Sequence, residues 1–400
     1  MSTLLTLALI LLGVAAGGWV LRFAGQKATG NAPTFRDMPL AVAFGYVLGA
    51  CLLVFSVWYF FQPTQNEAGI PNAGVVFFRW AVQFFIVSAI AAYLFRALGR
   101  TVGTRGSKKL FRQMPLTASF GVLVVILYAF TAIFAAWLAP HGQEAVFAKV
   151  NVLPGGNAAT GGDPLFPLGT DQIGRDLLSR LIYGAQNTVG IAFVTTCLAF
   201  FIGGTLGFLA ATLQGWLDQV LSRAVDVLMA IPSLIFALLL MTIASAWAGS
   251  ERWLLTVYMI LIIALIDSTR VFRLARAVGL NIVVMDYIEA AKLRGEGLGY
   301  LIFKEILPNA TAPLLAEFGL RFCFVFLTIA SLSFLGVGIQ PPLADWGTMV
   351  RDSAQFINFA AFSPLTAALP LLAAGAIALL TVGVNFVVDW MLHRSSGLKE

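Results

Sequence analysis

Nine stretches of this sequence are apolar over a length that can cross the hydrocarbon core of a bilayer: 3–23, 39–61, 75–95, 115–139, 187–212, 225–248, 253–269, 314–337 and 365–390, with approximate ends. No other feature constrains the fold as tightly. Backbone N–H and C=O groups find no water in lipid, so only helices and closed barrels can span it. Barrel strands alternate between apolar and polar residues, whereas these runs are uniformly apolar. The chain is therefore expected to be all-α, a polytopic bundle of about nine transmembrane helices. Composition agrees: 59% of the residues are hydrophobic and 11% charged, against roughly 25% charged in a soluble domain.

The loops set an orientation. Residues 96–112 carry Arg96, Arg100, Arg105, Lys108, Lys109 and Arg112 and no acid, which marks the cytoplasmic side. The loop 24–38 has Lys27 and Arg36 against Asp37 and belongs to the same side, while 62–74 has Glu67 and no base and faces out. Counting spans places the N-terminus outside and the C-terminus inside. The first apolar run lacks a basic segment before it and a small-residue cleavage site, so it is expected to stay as a span. The net charge of +6 resides in loops beside spans, a membrane pattern that does not point to nucleic acid.

Several chemistries find no support. Cys51, Cys197 and Cys323 each lie inside an apolar run and read as small core residues. His141 and His393 are far apart, with no acid at ligand spacing, which argues against catalytic zinc. No G-x-x-x-x-G-K-[ST] occurs, so no P-loop nucleotide site is expected; "GTRGSKKL" at 103–110 reads as a basic loop.

The longest polar interruption of the C-terminal half is "MDYIEAAKLRGEGLGYLIFKEILPNATAP", 285–313. Val284, Tyr287, Ile288, Ala291, Leu298 and Ile302 keep the spacing of one helical face, with Asp286, Glu289, Lys292 and Glu296 on the other. Gly295, Gly297 and Gly299 interrupt the middle, and Pro308 should end what precedes it. Two short helices joined by a bend, lying across the membrane surface, are expected. Glu289 reads either as a solvated residue pairing with Lys292 or as part of a docking surface; Gly295 reads as a helix C-cap, as a site of close approach, or as both.

In the segment 140–186, Asp171, Arg175, Asp176 and Arg180 recur at helical spacing, with Leu177, Leu178, Leu181 and Ile182 as an apolar side. This predicts an amphipathic interfacial helix with Asp171–Arg175 and Asp176–Arg180 pairs, each worth about 0.3–0.5 kcal/mol. Pro232 should kink or start a helix. Arg270, Arg273 and Arg276 follow a span end and read as anchors. Glu317 and Arg321 are spaced to pair with each other. In 334–353, Gly336, Gly338, Pro341 and Pro342 forbid a regular helix, and Trp346 suits an interfacial or partner-facing position.

Three of these segments carry a family resemblance. Glu289-Ala290-Ala291, Gly295 and Ile306-Leu307-Pro308 keep the spacing of the EAA loop of permease subunits in bacterial ATP-binding-cassette importers. The string 168–185, with Gly169, Thr170, Asp171, Gly174, Arg175, Asp176, Ser179, Arg180 and Gly184, resembles a signature of the dipeptide/oligopeptide/nickel permeases. The segment with Gly336, Gly338, Gln340, Pro341, Pro342, Trp346 and Gly347 resembles the same family, with Asp345 a small departure. Residues 114–400 are thus similar to a C-type permease subunit of six spans, and 1–113 form an extension of three spans with no counterpart. The resemblance implies an inner-membrane subunit with a cytoplasmic EAA loop whose Tyr287, Ile288 and Ala291 dock in a groove of an ATPase. It implies that the chain binds no cofactor, ATP and Mg being held by two ATPase subunits. It also implies a second, different permease chain, a periplasmic substrate-binding protein and a peptide-like cargo; a nickel chelate, glutathione or a peptide antibiotic remains open. Two other classes stay in view: an ion-driven transporter, which needs ionisable groups at mid-span, and a membrane-embedded enzyme, which needs converging catalytic groups.

Overall fold

Helix follows the apolar runs almost everywhere. The computed structural model describes residues 2–28, 38–66, 69–158, 161–249 and 251–395. The expected base Arg36 and acids Asp37 and Glu67 lie outside these residues. Two compact units divide inside one helix: Met1–Gln83 and Phe84–Glu400. In the first, α1 (Ser2–Ala28) and α2 (Leu40–Phe60) pack together. The start of α3 (Ala73–Thr101) is tied to the end of α2, where Arg79 donates to the carbonyls of Phe60 and Gln62, each at 2.7 Å.

The second unit continues through α4 (Arg105–Gln113), which is basic and capped by Thr104, and α5 (Leu116–Ile133). Its core helices are α6 (Leu177–Leu213), α7 (Gly215–Met229), α8 (Ser233–Ala248) and α9 (Arg252–Val283). Then come α10 (Asp286–Leu293), α11 (Leu298–Phe334), α12 (Trp346–Ser353) and α13 (Pro364–Ser395). Among the described residues, seven helices are long and apolar enough to cross a membrane, and the α7–α8 pair makes an eighth if counted as one span. With α1 over 3–23, these cover the nine apolar runs.

Several elements differ from expectation, each for a local reason. The run 225–248 is broken: α7 and α8 meet at 89°. Pro232 removes a donor and disfavours helical backbone at Ile231, so the chain turns there and α8 starts afresh. The span 253–269 continues to Val283, so Arg270, Arg273 and Arg276 lie on α9 and not beyond its end. They can stay helical because each has an acid: Arg273 stands 2.5 Å from Asp226, Arg276 grips Asp218 with both ends of its fork, and Arg270 is 3.4 Å from Asp267. Pro308 does not end a helix, nor is there a second short helix. One 37-residue helix starts at Leu298, and its backbone widens into a π-turn over Leu301–Ile306 just ahead of the proline. The widened turn accommodates the missing N–H and the bulk of the ring.

The most extensive helix pair is α6 against α9. Gly203, Gly207 and Ala211, four residues apart, form a flat stripe on α6, and Val271, Ala275 and Gly279 face it. Small residues let two backbones approach closely where apolar side chains gain little over lipid.

Candidate functional site

Two clusters stand at opposite ends of α11. At one, α9 stops at Val283 and the carbonyl of Met285 starts α10, accepting from Ile288 N–H at 2.9 Å and Glu289 N–H at 3.3 Å. Asp286 and Glu289 occupy the first turn and Lys292 the last, the arrangement the helix dipole favours. The C-terminus closes as a Schellman motif. Gly295 N–H donates to Lys292 O at 2.9 Å and Glu296 N–H to Ala291 O at 3.2 Å, with Gly295 at φ +78°. Gly295 is therefore the turn residue; nothing of this chain approaches within 4 Å of where its Cβ would be. The bend then delivers the chain into α11.

The short helix is bolted to the bundle. Ile288 and Ala291 are wholly buried, in a cluster with Phe208, Ala275, Ile282, Val283, Leu301, Ile302, Ile306, Ala310 and Leu314. This corrects the expectation that Ile288 and Ala291 face a partner: their side of the helix is taken by α6, α9 and α11. Val284 is 78% and Leu293 83% exposed, and with the exposed Tyr287, Glu289, Ala290 and Lys292 they make the outward surface. Glu289 makes no ion pair among the described residues, so the Glu289–Lys292 alternative is not realised. Leu307 is half-buried and Pro308 exposed. Further along α11, Arg321 stands 2.7 Å from Glu317, as their spacing implied, and 3.7 Å from Asp267 of α9.

At the other end, the sequence motifs interlock. Thr170 donates to Lys149 O at 2.9 Å, and its hydroxyl accepts from Val152 N–H at 3.0 Å. Gly169 and Gly174 are pressed against the carbonyls of Val152 and Phe147. Nearby, the Lys149 ammonium beside Asp163 holds that carboxyl below the usual range. The stretch 171–176 is a turn and not a helix: the Asp171 carboxylate accepts from the N–H groups of Ile173 and Arg175 and from Arg175 Nε at 2.6 Å. The Asp171–Arg175 pair exists, without helical backbone. The Asp176–Arg180 pair does not. Asp176 caps α6, accepting from the N–H groups of Leu178 and Ser179, and stands 3.1 Å from His141 Nδ1. Sequence spacing gave no sign of this histidine–acid contact, because 35 residues separate the two.

Trp346 is 2% exposed, contrary to an interfacial or partner-facing position. Its indole N–H donates to Leu181 O at 2.8 Å, and its ring meets Tyr128 and Phe326 edge-on. Gly184 makes room: a Cβ there would stand 2.4 Å from the indole. Gly347 lies against Ala330 O and Gly338 against Ser333, while Gln340 donates to the carbonyls of Gly336 and Gly338. Pro341 O accepts from Arg252 at 3.0 Å, and Pro342 follows it in the same turn. Asp345 caps α12 by accepting from Thr348 N–H at 2.8 Å, and it accepts from the Thr188 hydroxyl at 3.0 Å.

Burial pushes the Asp345 carboxyl above its ordinary value. The folded chain therefore holds that proton more tightly than the unfolded one, and this group's contribution is full below the ordinary carboxylate value and lost as pH rises through the raised one. Asp345→Asn is expected to keep the cap and flatten that dependence. Asp345→Ala should lower stability by about 1–3 kcal/mol, through the lost cap and the loss of the acceptor for the Thr188 hydroxyl proton. Melting of both variants in detergent between acid and neutral pH checks this.

Among the described residues no three His, Cys, Asp or Glu side chains are grouped as metal ligands. The sequence profile of the binding-protein-dependent transport system inner membrane component family matches residues 203–396. The di/tripeptide transport system permease protein DppC of Pseudomonas aeruginosa is 34% identical over 238 residues, 60% of this chain and 76% of that protein. Dipeptide permease DppC of Escherichia coli K12 is 36% identical over 243 residues, 61% of this chain and 78% of the relative. That of Alkalihalophilus pseudofirmus is 31% identical over 284 residues, 70% and 86%. With relatives of this identity covered over more than three-quarters of their length, and a helical bundle interrupted by the elbow of α10 and its Gly295 turn, the chain belongs to the permease subunits of binding-protein-dependent ATP-binding-cassette importers, multi-pass proteins of the inner membrane that are not themselves enzymes.

Proposed function

We propose that this chain forms half of the translocation path of an importer for dipeptides or related peptide-like cargo. It pairs with a second, different permease chain, receives cargo from a periplasmic binding protein, and is driven by two ATPase subunits that hold ATP and Mg. The cargo class rests on the dipeptide permeases it resembles. The coupling rests on one observation: a short helix fixed to the bundle by Ile288 and Ala291, with Val284, Tyr287, Glu289 and Leu293 turned outward. Motion of a partner gripping that outer surface passes to α9 and α11, because the inner surface has no freedom to slip. In this reading the elbow and the C-terminus are cytoplasmic, the N-terminus is periplasmic, and the interlocked motifs at 169–184 and 336–347 stand on the periplasmic side.

Glu289→Lys tests it. The side chain is exposed and without an ion pair among the described residues, so insertion and yield should be unchanged. Uptake of a labelled dipeptide by the reconstituted assembly should fall at least about tenfold if the helix is the coupling surface, because reversing a charge to which a docked surface is matched costs several kcal/mol. Wild-type uptake by this variant would overturn the coupling role.

A further inference from the structure

Arg180 is 3% exposed, a buried cation in the first turn of α6. Its Nη1 is buried with no hydrogen-bond partner, and among the described residues no carboxylate lies within 4.0 Å of the guanidinium. The acids around it are committed elsewhere. Asp171 is held by Arg175, Asp176 by the helix cap and His141, Asp345 by Thr188 and Thr348, and Asp352 by Arg351 at 3.0 Å. Burying a guanidinium nitrogen with no hydrogen-bond partner is costly, even with Asp171, Asp345 and Asp352 near enough to favour its charge. The residue also lines a cavity of about 70 Å³, with Asp171, Gln172, Arg175, Met349, Asp352 and Phe356 among the other walls. A cavity needs about 10–15 Å³ to hold one water, so this one is roomy enough for a carboxylate head group.

We propose that this cavity is a carboxylate-binding site in which Arg180 supplies the cation. The guanidinium offers planar donors that suit a carboxylate, and the Met349 and Phe356 side chains withdraw the pair from water, which strengthens it. Arg175, half-buried at the wall, is neutralised by Asp171, which leaves Arg180 to supply the cation. The site itself does not depend on the transport reading; the source of the carboxylate does. On that reading it is either the C-terminus of the cargo or an acidic side chain of the docking binding protein.

The test uses the full chain in lipid nanodiscs, titrated with N-acetylalanine and with N-acetylalanine amide. Wild type should bind the acid about tenfold to a hundredfold tighter than the amide, the range for a hydrogen bond to a charged group. Arg180→Met keeps the length and removes the charge; it should melt no lower than wild type and lose the preference. Arg180→Lys should keep part of it. Equal affinity for acid and amide in wild type, or a preference that survives in Arg180→Met, overturns the site. In the assembled transporter, a smaller uptake ratio of free over amidated dipeptide in Arg180→Met assigns the carboxylate to the cargo. Weaker docking of the binding protein, independent of cargo, assigns it to that partner. No change in either overturns a role in transport. Binding to the isolated chain needs no ATPase, so a chain that binds the acid yet fails to couple refutes the transport reading and leaves the site standing.

Discussion

Replacing Ile288 with aspartate is expected to abolish ATP-coupled uptake while the chain still inserts and the spans still fold. Ile288 is wholly buried between α10 and the ends of α6, α9 and α11. Removing its side chain alone would cost about 2–5 kcal/mol. Placing a carboxylate there adds the desolvation of a charge with no partner, and the sum exceeds what holds an eight-residue helix to the bundle. The helix should therefore swing out into water, where the new carboxylate is solvated and the elbow no longer transmits force. Expected readouts are new protease sensitivity at 284–297, normal membrane yield, and ATPase activity of the assembly that no longer responds to cargo. An Ile288→Asp chain that keeps cargo-stimulated ATPase would show that the anchoring is dispensable. The contrast with Glu289→Lys is informative: one variant removes the grip of the bundle on the helix, the other, on the proposed coupling, the grip of the partner.

Gly203→Ile should have the second large effect, on folding itself. A Cβ at Gly203 would stand 2.3 Å from Ser268 O, a backbone atom that no rotamer change can move. Gly207 is similarly close to Phe272 O, at 2.7 Å. The two helices would have to separate along their whole contact, at a cost of about 3 kcal/mol or more. Low yield and loss of the folded species in detergent are expected. Gly204→Ile is the control: it is the next residue, with nothing within 4 Å of its Cβ position, and should fold. Equal yields from both would show that the stripe does not set the packing of α6 on α9.

The helical class and the apolar runs were legible because lipid leaves a chain so few choices. The turn at Gly295 was legible because alternating glycines oppose a straight helix. What the sequence hid were matters of tertiary partnership. Ile288 and Ala291 are apolar on a polar helix, and periodicity cannot say whether such a stripe meets the parent bundle or another protein. Asp176 and Arg180 have ideal i,i+4 spacing, but Asp176 satisfies the first N–H groups of α6 instead, a demand that exists only once the helix start is known. Trp346 looked interfacial because the residue that houses it, Gly184, lies 162 positions away. The four-residue spacing of Gly203, Gly207 and Ala211 was a signal in plain view for close helix packing.

The unbroken run from Leu298 to Phe334 has a mechanical consequence. At 1.5 Å per residue its 37 residues form a rod about 55 Å long. Its two prolines and its widened turn all lie in the part nearest the elbow, so the remainder is stiff. Pivoting such a rod by one degree about one tip displaces the far tip by about 1 Å. On the proposed coupling, modest tilting at the elbow end would be converted, by leverage alone, into ångström-scale displacement beside Gly336, with no relay of side-chain rearrangements in between.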